Sequence, residues 1–245
     1  FLNQKNANRA DAVIGFLPNN TQVGGKLLVT GDVKLNLINS FNQGEQLSLN
    51  WQNLQYKSPR LNVETNYPYV LGSAFGITGK FNYVKNDTSF RTVLGEMGLQ
   101  YVINPNQFLK VFYNNNSSRL LSINVNDLIA RRALPQNLDV KTKTFGIAWG
   151  KNTTDNRLNP RKGYSFLGEF GAGIKNIVRN SQIEETKDPI TGDDFKYLYD
   201  SVKTKTYKYQ AHWLANYYWS ITKSINIKTA YNGGLIYNDR LFKNE

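Results

Sequence analysis

Apolar and polar residues alternate one by one along almost the whole chain, and a period of two confines the fold to β-structure. In "KLLVTGDVKLNLINSF" the odd positions hold Leu27, Val29, Val33, Leu35 and Leu37, against Lys26, Thr30, Asp32, Lys34 and Asn36. "EQLSLNWQNL" sets Leu47, Leu49 and Trp51 against Gln46, Ser48 and Asn50. "TYKYQAHWLANYYW" sets Tyr207, Tyr209, Trp213, Tyr217 and Trp219 against Lys208, Gln210 and His212. With a weaker opening segment, "ADAVIGFLPN", eleven such segments follow one another. Helical spacing is confined to "NVNDLIARRAL", in a loop between strands.

Soluble antiparallel sheets alternate too, so three further features decide the reading. Many segments reach the roughly nine to eleven residues that a tilted membrane strand needs. Nearly every polar side carries a charge, among them Asp32, Lys34, Glu64, Lys80, Glu96, Lys110, Glu169, Lys208 and Lys228, as a wet lumen allows. Aromatics also fall in bands. Tyr207 and Tyr209 precede Tyr217 and Trp219 on one face, an offset worth roughly 25 Å of height for a strand tilted by about 40°. From the fourth hairpin onward long and short connections alternate. If the first strand starts in the periplasm, "NSFNQGE", "LGSA", "NPNQ", "NTTDNRLNPRKG" and "SITKS" all face it.

Composition removes other classes. The 245 residues hold no cysteine, hence no disulfide framework and no thiolate metal site. Mean hydropathy is −0.51, and no apolar run reaches the ~18 residues of a spanning helix. A net charge of +12 admits a basic nucleic-acid-binding domain, but the strand pattern outweighs it and no nucleic-acid partner is expected. The one histidine, His212, lies on a polar strand face and reads as a lumen-facing structural residue. Asp188, Asp193 and Asp194 in "DPITGDD" lack full EF-hand spacing and read as a solvated loop. Arg131 and Arg132 could meet lipopolysaccharide phosphates, although a solvated loop is the simpler reading. Neither a metal, a cofactor nor an enzymatic reaction is expected. Glycines inside strands, such as Gly95, Gly146, Gly150 and Gly233, read as places where a curved sheet bends and packs tightly, with flexing as the functional alternative.

The segment "DNRLNPRKGYSF" resembles the periplasmic turn of the bacterial surface antigen superfamily, the barrels of BamA- and TamA-type assembly proteins. Asp155, Arg157, Pro160 and Gly163 stand at that turn's Asp-x-Arg-x-x-Pro-x-x-Gly positions, with Asn159 placed to bond its own backbone. "RADAVIGFLPN" is similar to the first strand of a Bacteroidota branch of the family, and "TGDVKLNLINSFNQGEQLSLNW" and "YPYVLGSAFGITGKFNYVKNDTSF" to its next segments.

The resemblance implies an all-β, transmembrane antiparallel up-and-down β-barrel, with residues 1–245 as one partial barrel domain. About eleven strands of sixteen would be present, with no periplasmic docking domains and five further strands beyond Glu245. It implies insertion or translocation of proteins at the outer membrane, without covalent chemistry. Ala12, Val13, Ile14, Gly15, Phe16 and Leu17 would form a lateral-gate strand. Partners would be outer-membrane lipid, lipopolysaccharide, unfolded outer-membrane clients and accessory assembly subunits. The family's Arg-Gly-Phe loop has no counterpart here. A passive porin-like channel and a soluble basic β protein remain as alternatives.

The alternation predicts that odd residues of strands two to eight, ten and eleven, and even residues of strand nine, face lipid. Spin labels at Leu35, Trp51 and Trp213 are expected to meet lipid-soluble quenchers, and labels at Lys34 and Lys208 water-soluble ones. The opposite pattern sinks the membrane reading.

Overall fold

The computed structural model describes residues 8–21, 24–156, 159–222 and 225–238. It contains eleven strands: β1 (Arg9–Asn20), β2 (Lys26–Ile38), β3 (Gln46–Asn53), β4 (Arg60–Tyr67), β5 (Phe75–Asn86), β6 (Phe90–Asn104), β7 (Gln107–Leu120), β8 (Asp139–Asn152), β9 (Gly163–Val178), β10 (Lys205–Ser220) and β11 (Asn226–Asn238). They form a single antiparallel sheet in which each strand pairs with its sequence neighbours, in the order β1 to β11. The fold is therefore an all-β up-and-down meander. Among the described residues, β1 and β11 pair on one side only and not with each other.

Hairpin register decides which residues share a face. From β2 to β8 odd residues pair with odd, as in Leu35↔Leu49 and Val63↔Phe81. Odd pairs with even only where β1 meets β2 and on both sides of β9, as in Ile14↔Gly31, Ile147↔Phe170 and Tyr207↔Ile174. One face thus collects odd residues of most strands and even residues of β1 and β9. That face is apolar and exposed, with Met97, Leu99, Ile147, Phe170 and Tyr217 all open. A contiguous apolar surface of this extent is foreign to a water-soluble monomer. The other face is polar and concave. One cavity of about 360 Å³ is lined by Asn36 of β2, Glu64 of β4, Lys110 of β7 and Glu169 of β9.

The strands are uneven in length. β9 and β10 run for 16 residues, whereas β3 and β4 have only 8. β7 also continues past its alternating segment. The run "NNNSS" shows no hydrophobic period, yet Asn114–Ser118 pairs with β6 and with β8. Its neighbours hold it in the ladder, so the connection to β8 begins only at residue 121.

That connection and the one from 179 to 204 fold together at one end of the sheet. The helical spacing in "NVNDLIARRAL" becomes α1 (Val125–Arg131), whose first turn is capped by the Asn124 side chain accepting the Asp127 N–H at 3.1 Å. The second connection holds α2 (Ser181–Glu185) and a 3₁₀ turn, Phe195–Tyr199. Leu128, Leu138, Ile177, Ile183, Phe195, Leu198 and Tyr199 form one buried cluster across both.

Several strand glycines are seats for aromatic rings rather than hinges. Phe112 and Phe108 lie over their direct register partners, Gly146 and Gly150. A Cβ on Gly146 would stand 2.3 Å from the Phe112 ring and 2.6 Å from the Phe170 carbonyl oxygen. Trp213 covers its partner Gly233 in the same way. Gly95 differs, because a Cβ there would meet nothing within 4 Å. Gly146→Ala is therefore expected to destabilise the sheet by about 1–3 kcal/mol through overpacking, and Gly95→Ala to be near neutral. Thermal unfolding of the two variants side by side checks this; equal midpoints refute it.

Candidate functional site

Ala12–Leu17, the stretch that the resemblance implies as a gate strand, lie in β1, the first strand of the sheet among the described residues. They pair with β2 through Ala12↔Val33, Val13↔Asp32, Ile14↔Gly31, Gly15↔Thr30, Phe16↔Val29 and Leu17↔Leu28. The register then slips by one residue between Leu17 and Asn20. Pro18 sits inside that bulge, where its missing N–H costs the ladder least. β1 is apolar on both faces: Ile14 and Phe16 point to the apolar side, Val13 and Leu17 to the polar side. All four are open, Val13 at 69% of its full surface.

The turn motif is organised by Asp155. Its Oδ1 accepts the N–H groups of Asn156 at 3.0 Å, Arg161 at 2.9 Å and Lys162 at 3.1 Å. These bonds, that from Arg161 foremost, hold the carboxyl below its ordinary pKa. Gly163 has φ +98°, and a Cβ there would lie 2.3 Å from the Thr153 carbonyl oxygen, so only glycine fits. The side chain that accepts within the loop is Asn156, from the Asn159 N–H at 3.1 Å, rather than Asn159 itself. Pro160 is half-buried, and Arg161 and Lys162 are exposed. Arg157 lies outside the described residues. Glu45 plays a matching part in the β2–β3 turn, accepting the N–H groups of Phe41 and Gln43. The turn signal is legible in "NSFNQGE", whereas the part of Glu45 in it depends on backbone geometry.

The charges of the polar face meet across strands. Lys110 Nζ lies 3.1 Å from Glu96 and 4.0 Å from Glu169, and Asn114 donates to Glu96 at 3.4 Å. Glu64, Lys80 and Glu96 are consecutive register partners. The Lys110 side chain is 9% exposed, so its pairing offsets a real desolvation cost. His212 faces the same side and pairs with Asn232 at 2.9 Å.

The aromatic bands fall at opposite ends of β10. Tyr207 and Tyr209 stand beside the 179–204 loops, and Tyr217 and Trp219 beside the link 221–225. Tyr209 meets Tyr237 with ring centroids 6.3 Å apart, and Tyr217 meets Trp219 at 5.3 Å. The sequence did not reveal that Phe75–Tyr101 and Trp149–Phe166 pair near the same end as Tyr217. Those pairs join different strands, so only register discloses them.

The surface arginines are already engaged. Arg131 pairs with Asp127 at 2.7 Å and Arg132 with Asp188 at 3.0 Å. Asp188 also accepts the Ile190 N–H at 2.9 Å, and its carboxyl is held below the ordinary range by that bond first and by Arg132 next. Asp194 lies 3.9 Å from Lys196.

The chain is similar to a crystal structure of BamA from Haemophilus ducreyi lacking POTRA domains 1–3, with a TM-score of 0.49 and 16% identity. The match covers 97% of this chain and 42% of that one, so the chain spans less than half of its length. No family model and no curated protein matches the chain.

Asp155 yields a pH dependence. A lowered folded-state pKa means a contribution present above the unfolded value of 3.8 and lost as pH falls through the folded one. The Arg161 and Lys162 amide resonances are expected to titrate together below pH 3.8 in the wild type and to stay flat in Asp155→Asn. A titration that survives in the variant rules this role out.

Proposed function

We propose that this chain forms the wall of an outer-membrane β-barrel that takes up folding membrane proteins at its β1 edge. The observation that carries the reading is β1 itself: apolar on both faces, where β2 to β11 keep one polar face, and broken by a register slip at Pro18 that weakens its ladder. The exposed apolar face, the charged concave face and the aromatic bands at both ends of β10 fit a sheet immersed in a bilayer. In hydrocarbon each unpaired backbone group costs several kcal/mol. A client strand that aligns on β1 pairs the N–H and C=O groups that face it with those of β1, leaving its far edge for the next strand. The client's folding supplies the driving force and no covalent step is needed.

Ala12–Leu17 would be the templating residues in this reading, and the 153–162 turn would lie in the periplasm. Unfolded outer-membrane proteins would be the clients, the surrounding lipid the solvent, and accessory assembly subunits the partners in delivery. Residues 1–245 would belong to one barrel domain. A passive porin-like channel accounts for the polar concave face but gives no role to a strand that is apolar on both sides.

Because the chain has no cysteine, introduced ones report cleanly. Val13→Cys and Leu17→Cys are expected to form disulfide adducts with cysteines in the last strand of an unfolded barrel client. The mid-sheet variant Trp51→Cys should form none. Adducts absent at β1, or equal at β3, sink the proposal.

A further inference from the structure

We infer that the apolar-side face of β5–β8, at its border near the folded loops, binds the phosphates of an anionic lipid headgroup. Lys85 on β5, Arg91 on β6 and Arg119 on β7 are direct register partners in one line across three strands. By parity all three lie on the same face as Met97 and Leu99. Neighbouring strands are about 4.8 Å apart, so three cations occupy roughly 10 Å. Like charges directly opposite one another destabilise a sheet. Lys141 and Lys143 of β8 extend the patch, opposite Ser117 and Asn115 of β7.

Among the described residues none of these five cations forms an ion pair. Asp139, at the start of β8, is the acid next in line. Its oxygens accept the Leu120 N–H at 2.7 Å and the Asn180 side-chain amide at 3.2 Å, and its charge acts on Arg119 and Arg91 without closing an ion pair with either. The concave face treats its charges differently, since Lys110 there has Glu96 and Glu169. One acid beside five adjacent cations leaves a net positive row, which calls for an external anion.

Position identifies the anion as a lipid. Directly below the patch on the same strands stand Tyr113, Phe145, Ile147 and Trp149. A molecule with phosphates at the level of Lys85–Arg119 can therefore lay acyl chains along that apolar wall. Arginine pairs with phosphate bidentately, and a row roughly 10 Å wide suits a headgroup with two phosphates better than one. This inference rests on the membrane reading of the apolar face.

The test uses the intact protein in nanodiscs of phosphatidylcholine, with and without a diphosphorylated glucosamine glycolipid (lipid A). Phosphatidylglycerol and inorganic phosphate serve as comparison anions. Wild-type protein is expected to retain lipid A at least about tenfold more tightly than either comparison anion. The triple variant Lys85→Gln, Arg91→Gln, Arg119→Gln should lose that margin, and the charge-preserving set Lys85→Arg, Arg91→Lys, Arg119→Lys should keep most of it. Should the neutral variant misfold, wild-type retention in about 1 M salt replaces it, because electrostatic binding weakens there and purely apolar binding does not. Unchanged retention in the folded neutral variant, or in high salt, overturns the proposal. A label at Leu99 monitors insertion: protein that inserts but shows no lipid A preference refutes this inference alone. Protein that does not insert refutes the membrane reading and this inference with it.

Discussion

The structure depends on one requirement, that backbone N–H and C=O groups find partners inside the sheet. β-strands can meet it only by lying beside other strands. Each strand therefore pairs with the next in sequence along a continuous ladder, even where side chains give no help, as at Asn114–Ser118 in β7. The same requirement makes the two outer edges chemically distinct from every other part of the sheet. Among the described residues, interior strands pair their backbone groups on both sides, and β1 and β11 on one.

Once the ladder is laid down, side chains can only choose between two faces. The apolar face carries no core in the usual sense, because its residues are open. Buried apolar packing is concentrated in the loop cluster around Phe195 and Tyr199. The concave face collects the charges and must neutralise them at close quarters, which the Lys110–Glu96–Glu169 group does. Carboxylates in the turns serve the backbone instead. Glu45 and Asp155 accept N–H groups that the sharp reversal of the chain leaves without a ladder partner.

Curvature brings the remaining demand. Aromatic side chains on a concave face crowd their cross-strand neighbours, and glycine opposite Phe112 and Phe108 removes the clash. Of the two readings that the sequence leaves open for its strand glycines, tight packing and flexing, Gly146, Gly150 and Gly233 follow the first. Flexibility cannot be read from them alone.

Strand number, strand order and face assignment were legible in the sequence, because a period of two is a local property and short hairpins leave neighbours little choice of partner. The helix at Val125–Arg131 and the Gly163 turn were legible for the same reason: spacing, caps and φ preferences act within a few residues. Only the tertiary structure decided that Asp155 rather than Asn159 organises that turn, that Arg132 belongs to Asp188, and that Phe75 meets Tyr101. It also decided that Lys85, Arg91 and Arg119 stand in line. These are questions of register and loop docking, in which residues far apart in the chain come within a few ångströms, and no local pattern encodes such a distance.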